Sequence, residues 1–197
     1  KDLNSEISIV VINDASSQQI IDEYQNTEKI NSIEIINMKE NRGHARCIAS
    51  GLKYIYEKKE FNYVIPMDGD GEDRPEEIKN FIELVNQSED ESIVGERVKR
   101  SESLLFKFCY QFHKFLTLAF TGQSIRFGNF TCLSRITVEK MLKEKATWNS
   151  FSGSLKKTEK NLIPTPSIRG TRYFGPSKMS FFNLLKHSLS IISVFRK

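Results

Sequence analysis

Short runs rich in β-branched residues alternate along this chain with longer stretches of helical periodicity, and that alternation limits the fold more than any other feature. Ile7–Ile12 (ISIVVI), Ile33–Met38 (IEIINM), Tyr63–Met67 (YVIPM) and Ser92–Arg97 (SIVGER) read as strands. Ser17–Gln25, Gly43–Lys58 and Pro75–Asn86 read as the helices that follow the first three. The last has Asp73 or Arg74 near its N-cap, Pro75 in its first turn and Glu76 and Glu77 on its positive end. Strand, helix, strand, helix predicts right-handed βαβ units and an α/β fold with a mostly parallel sheet flanked by helices. Ligands of such sheets gather at the carboxyl ends of the strands. That is where the acidic residues of this chain fall.

A length of 197 residues, 39% of them hydrophobic, suffices for one compact domain with a sizeable core. The 29 basic and 25 acidic residues leave a net charge of only +4. No Lys/Arg block is dense enough to neutralise many phosphates, so a nucleic-acid partner is not expected. Cys47, Cys109 and Cys132 are widely spaced and never form a C-x-x-C pair, which points away from a disulfide framework or zinc site and toward a reducing compartment. No run of eighteen apolar residues is present.

The second half differs in character. Leu104–Phe120 carries apolar residues at helical spacing, with Lys107, Gln111 and Lys114 as a narrow polar stripe. Ser180–Phe195 is again amphipathic and ends in Arg196 and Lys197. Two such stretches fit a membrane-facing surface, and they fit packing on the sheet equally well. A short helix is expected around Thr137–Lys143, and Lys145–Thr171, polar and punctuated by Pro and Gly, is expected to be a long functional loop.

Three polar clusters follow strands. The first, Met67-Asp68-Gly69-Asp70-Gly71-Glu72-Asp73-Arg74-Pro75, places four carboxylates within six residues, between an apolar strand and a Pro-started helix. Crowding like charges at a strand end is costly unless a cation offsets them. Asp68 and Asp70 are suited to share one hard divalent ion that also binds phosphate oxygens. The second, Asn13-Asp14-Ala15-Ser16, offers Asp14 as an acceptor for a nucleobase or ribose, or as an Asx turn. The third, Asn41-Arg42-Gly43-His44-Ala45-Arg46, opens a helix whose N-terminus and arginines suit an anionic group, with His44 read as a capping or surface residue.

In this order, with Gly95-Glu96-Arg97-Val98-Lys99-Arg100, Gly128-Asn129-Phe130-x-x-Leu133-Ser134-Arg135 and Arg169-Gly170-x-Arg172-Tyr173-x-Gly175-x-Ser177-Lys178-Met179 behind them, the motifs resemble the family 2 glycosyltransferases of the GT-A fold. Within that family they resemble the polyprenyl-phosphate sugar transferase branch, of the dolichol-phosphate mannose synthase type. The likeness covers almost the whole chain. It implies a GT-A, Rossmann-like catalytic domain over residues 1–179 and an amphipathic, juxtamembrane helix over 180–197.

The resemblance further implies inverting, metal-dependent transfer of a sugar from a nucleotide-sugar donor to a polyprenyl phosphate or other lipid-linked acceptor, at the cytoplasmic face of a membrane. Asp14 would recognise the nucleobase, and Asn41, Arg42, Gly43 and Arg97 are expected to bind substrate. Asp68 and Asp70 would bind Mg²⁺ or Mn²⁺ and the diphosphate. Arg172, Ser177 and Lys178 would lie near the phosphates or acceptor. Where many relatives carry an acidic residue before Phe130, this chain has Asn129, which cannot act as a base, so Glu72 or Asp73 is expected to supply one beside Asp70. The chain also opens at what would be the family's second strand, so an upstream segment of a few tens of residues and membrane helices beyond Lys197 are expected. A nucleotidyltransferase and a non-catalytic domain of the same fold are the competing readings.

Overall fold

The computed structural model describes residues 6–17, 30–88, 90–99, 125–173 and 189–195. In chain order these hold strand β1 (Ile7–Asn13), β2 (Ile30–Asn37), helix α1 (His44–Lys58), β3 (Tyr63–Val64), a 3-10 turn (Pro75–Glu77) leading into α2 (Ile78–Val85), and β4 (Ser92–Lys99). There follow β5 (Phe127–Ser134), α3 (Arg135–Lys143), a 3-10 turn (Lys145–Trp148), α4 (Phe151–Thr158) and β6 (Leu162–Ile168). Residues 189–195 are helical.

The fold is α/β. Strands β1 and β2 pair in parallel, from Ser8 opposite Ser32 to Asn13 opposite Asn37. The other four strands lie in the order β3-β5-β4-β6. Parallel pairing recurs between β4 and β6, while β5 runs antiparallel to both of its neighbours. α1 sits on β1 so closely that a Cβ at Gly51 would lie 2.9 Å from the Ile12 side chain, so a larger residue there would require Ile12 to shift.

The period-2 alternation of β4 and β5 sends successive side chains to opposite faces. Val94 and Leu133 join Leu52 of α1, Val138 and Met141 of α3, and Phe151 and Leu155 of α4. Ile93, Phe130 and Cys132 face Phe81 and Val85 of α2, with the Phe81 and Phe130 rings 4.7 Å apart and tilted by 56°. With helices covering both faces, this sheet is a fixed platform for the loops at its ends.

Several elements differ from the sequence reading, each for a local reason. The β3 ladder ends at Val64, because Pro66 lacks the N–H that would extend the pairing. The expected long loop over 145–171 instead contains α4 and β6. α4 begins where the Ser150 hydroxyl accepts the Gly153 N–H. Its buried face includes Ser152, Gly153 and Ser154, small residues that give little apolar signal. β6 carries Pro164 and Pro166, which is tolerated because it is the outermost strand in its sheet.

The stretches 104–120 and 18–25 lie outside the described residues, as does 180–188. The described tail, 189–195, is helical as expected but buries Ile191 and Val194. Val194 reaches within 3.2 Å of where a Cβ at Gly153 would stand. This part of the amphipathic pattern therefore serves packing on α4, while Leu189 stays exposed. No helix among the described residues is long and apolar enough to cross a membrane.

Candidate active site

The acidic turn begins where β3 gives out and ends where Pro75 starts the next helical turn. Its shape comes from its own carboxylates. Asp73 accepts the Asp68 N–H at 2.8 Å and Asp70 accepts the Glu72 N–H at 3.0 Å, the second bond being an Asx turn. Gly71 has φ near +89°, a conformation that costs glycine nothing.

Residues 169–173, just after β6, lie on this turn as a strap. The Gly170 N–H donates to the Glu72 carbonyl at 2.8 Å and the Tyr173 N–H to the Asp70 carbonyl at 2.9 Å. Arg169 donates to Glu72 Oε2, Arg172 Nε donates to Glu72 Oε1 at 2.9 Å, and Arg172 Nη2 pairs with Asp70 Oδ2 at 3.0 Å. Contact is close enough that a Cβ at Gly170 would stand 2.4 Å from the Gly71 carbonyl oxygen, and one at Gly71 would stand 2.8 Å from the Tyr173 ring. α2 is tied to the same end of β6, since Glu77 accepts from the Ser167 hydroxyl at 2.7 Å and the Ile168 N–H at 2.9 Å.

Electrostatics divide the four carboxylates. Glu72 is only 8% exposed; burial opposes its charge, yet the hydrogen bonds from Arg169 and Arg172 outweigh that and hold it below the ordinary glutamate range. Asp73 is 6% exposed. Burial dominates there and raises its carboxyl to about 6, the Asp68 N–H and Arg97 opposing the rise and the charges of Asp68 and Asp70 adding to it. Glu72, expected as a possible base, has an arginine on each oxygen and is not poised to take a proton. Asp73 is buried and already bonded through Oδ2.

A second cluster stands at the carboxyl end of β1. The Asp14 oxygens accept the Arg42 N–H at 2.8 Å and the Gly43 N–H at 2.9 Å, while the Asn41 side chain donates to the Asp14 carbonyl at 3.0 Å. Asp14 thus fixes the turn that starts α1, where Gly43 has φ near +84°. Each oxygen of a carboxylate accepts more than one hydrogen bond, so this does not preclude a ligand. Arg42 is exposed and paired with Glu40. His44 links the two clusters: its Nε2 lies 3.7 Å from Asp68 Oδ1 and it also meets the Asn129 side chain.

The structure thus brings Asp68, Asp70, Glu72, Asp73 and Arg172 together, with Arg97 acting on Asp73, and groups Asp14, Asn41, Arg42 and Gly43 nearby. Ser177 and Lys178 lie outside the described residues. Arg169, His44 and Tyr173 were not among the residues assigned to the site from sequence. For Arg169 a signal existed, since it shares one glycine-bearing motif with Arg172.

Among the described residues, no three Asp, Glu, His or Cys side chains converge to hold a metal ion. Asp68 and Asp70 remain a pair of partly exposed carboxylates on one rigid turn. Such a pair fits an ion like Mg²⁺, which takes one or two protein carboxylates and completes its shell with waters and substrate phosphates.

Residues 2–151 match the family model described as Glycosyl transferase family 2. Among characterised sequences, the undecaprenyl-phosphate 4-deoxy-4-formamido-L-arabinose transferase of Photorhabdus laumondii is 28% identical over 201 aligned positions, covering 94% of this chain and 57% of the relative. An uncharacterized protein of Methanocaldococcus jannaschii is 26% identical over 152 positions, covering 73% of this chain and 66% of that protein. The chain thus spans between just over half and about two thirds of the length of these relatives.

Proposed function

Because this chain belongs to the family 2 glycosyltransferases, we propose that it transfers a sugar from a nucleotide-sugar donor to a lipid-linked acceptor, a polyprenyl phosphate, at the cytoplasmic face of a membrane. The observation that carries this reading is the acidic turn after β3, joined to Arg169 and Arg172 and flanked by the Asp14 cluster. A diphosphate needs cations at its oxygens and a nucleoside needs polar acceptors beside them; the two clusters supply these at one edge of the fold. The likeness to a transferase named for undecaprenyl phosphate supports the acceptor class.

The acceptor class is also supported by the site's acid–base character. A sugar hydroxyl must lose a proton as it attacks, so a carboxylate should stand ready for it. Among the described residues expected to act as a base, Glu72 is bound to two arginines and Asp73 is buried and bonded, and position 129 is an amide. A lipid phosphate arrives ionised and needs no such base. Its oxygen attacks the anomeric carbon opposite the departing nucleoside diphosphate, which inverts that carbon. Arg172 and Arg169 stabilise charge on the diphosphate, and Asp68 and Asp70 are the residues that would hold Mg²⁺ or Mn²⁺. Bound there, the ion supplies Lewis-acid stabilisation of the leaving group. In this reading residues 1–179 form the catalytic domain and the segment from 180 onward lies beside the membrane.

The test uses the full-length protein, a panel of labelled nucleotide-sugars and a polyprenyl phosphate in liposomes, with and without EDTA. Label should enter the lipid phase, EDTA should stop it, and Asp70→Asn should lower turnover roughly a hundredfold or more while the protein stays folded. Full activity of Asp70→Asn in EDTA would reject the metal role. Transfer only to a soluble sugar would reject the lipid acceptor.

A further inference from the structure

The third carboxylate of the acidic turn has no part in the chemistry just described, yet it is more deeply buried and more fully bonded than Asp68 or Asp70. We infer that Glu72 is a positioning residue that holds Arg172 on the acidic turn so that its guanidinium meets the donor's diphosphate; this rests on the proposed donor reading.

Burying a carboxylate is expensive unless its charge is paired and its lone pairs are used. Glu72 meets both conditions through the strap, with Arg169 on one oxygen and Arg172 on the other. The Glu72 carbonyl also accepts the Gly170 N–H, so backbone and side chain of one residue fasten both ends of the 169–172 stretch. Arg172 is thereby fixed in direction. Its Nε is committed to Glu72 and its Nη2 to Asp70. A guanidinium has five donors in a rigid fork, and this one keeps 27% of its side chain exposed. Among the described residues nothing bonds to Nη1, so it can meet an incoming phosphate oxygen next to Asp70. Free arginine side chains lose considerable rotamer entropy on binding an anion; Glu72 removes that cost in advance. The two glycines make the arrangement intolerant of change, since a Cβ at either Gly71 or Gly170 would overlap the opposite segment.

A general base, by contrast, needs an oxygen free to receive a proton at the reacting centre. Glu72 has an arginine on both. Its removal should therefore weaken donor binding through Arg172 and leave the chemical step comparatively intact.

The experiment is a double-mutant cycle on the full-length protein, read by calorimetric binding of magnesium pyrophosphate, the group common to all nucleotide-sugar donors, and by donor KM and kcat. Glu72→Ala and Arg172→Ala should each weaken pyrophosphate binding about tenfold, as expected for loss of one charge-assisted contact. Donor KM should rise in parallel while kcat falls less. In the Arg172→Ala background, Glu72→Ala should add less than about twofold, because its effect runs through the missing arginine. Glu72→Gln, which keeps one acceptor oxygen, should show a smaller loss with the same non-additivity, and it replaces Glu72→Ala in the cycle if circular dichroism shows that variant to be unfolded. Losses that multiply in the double variant overturn the inference. So does a Glu72 variant with wild-type pyrophosphate affinity and a collapsed kcat, which would make it a base. Wild-type protein that does not bind magnesium pyrophosphate overturns the donor reading itself, whereas tight wild-type binding indifferent to Glu72 overturns this inference alone.

Discussion

Replacing Asp73 by Asn should stabilise the protein, by an amount that grows as pH rises from about 4 to about 7. The Asp73 carboxyl is raised from 3.8 to about 6, first by burial and then by the charges of Asp68 and Asp70. A folded-state pKa above the unfolded one means that the native state holds the proton more tightly. Stability from this group is full below about pH 4 and is lost as pH rises through 6. At about 1.4 kcal/mol per unit, the shift costs the native state about 3 kcal/mol at pH 7.5. The asparagine amide keeps an oxygen to accept the Asp68 N–H and carries no charge, so it escapes that cost.

The advantage of Asp73→Asn should therefore be about 3 kcal/mol at pH 7.5, about half of that at pH 5, and about 0.6 kcal/mol at pH 4. Urea unfolding in chelator-containing buffer at these three pH values measures it, provided the slope against denaturant is the same for both proteins. A variant less stable than wild type at pH 7.5, or an advantage that does not change with pH, would refute the reasoning, because either result means that Asp73 is not destabilised by its charge. A more stable variant that has lost transfer would mark Asp73 as a residue kept for function at the expense of stability.

Two further substitutions probe the strap and the second cluster. Gly170→Ala forces a methyl to within 2.4 Å of the Gly71 carbonyl oxygen, so the strap must shift; a loss of about 1–3 kcal/mol in thermal unfolding and a raised donor KM are expected. Asp14→Ala removes the acceptor of both the Arg42 and Gly43 N–H groups and should cost about 1–3 kcal/mol without any nucleotide present. Unchanged stability of that variant, with only nucleotide affinity lost, would show that Asp14 serves the ligand and not the turn.

How far the sequence discloses this molecule follows from how local each determinant is. β1, α1 and β4 are continuous patterns of apolar residues, and their expected and observed bounds nearly coincide. β6 and α4 escape notice because prolines and small residues mask their periods, and both are secured by what lies beside them: β4 for the one, the sheet and the 189–195 helix for the other. The same distinction governs the site. The acidic turn is legible because its four carboxylates are neighbours in the chain. Its partners are not, since Arg169 meets Glu72 across 97 positions and Asn129 meets His44 across 85. No local pattern encodes such pairings.

That distance changes the argument from charge crowding. From the sequence, four carboxylates at a strand end require a cation, and a metal ion is the natural candidate. In the folded chain the cations nearest to hand are guanidinium groups, and they neutralise a particular half of the turn: Glu72 wholly and Asp70 in part. Among the described residues, neither Asp68 nor Asp73 has an arginine within ion-pair distance. Among the described residues the ion-pair neighbour of Asp68 is the His44 ring at 3.7 Å, and Asp73, raised chiefly by burial, is raised further by the charges of Asp68 and Asp70. Asp68 is thus a partly exposed carboxylate with no arginine in ion-pair contact among the described residues, acting on Arg172 only at longer range, on the side of the turn that α1 approaches through His44. A divalent ion held there by Asp68 and Asp70 would relieve the repulsion that adds to the effect of burial on Asp73 and would place its own charge beside Arg172. In the proposed reading, metal and arginine would be complementary parts of one diphosphate site, Asp68 and Asp70 holding the one and Glu72 and Asp70 directing the other.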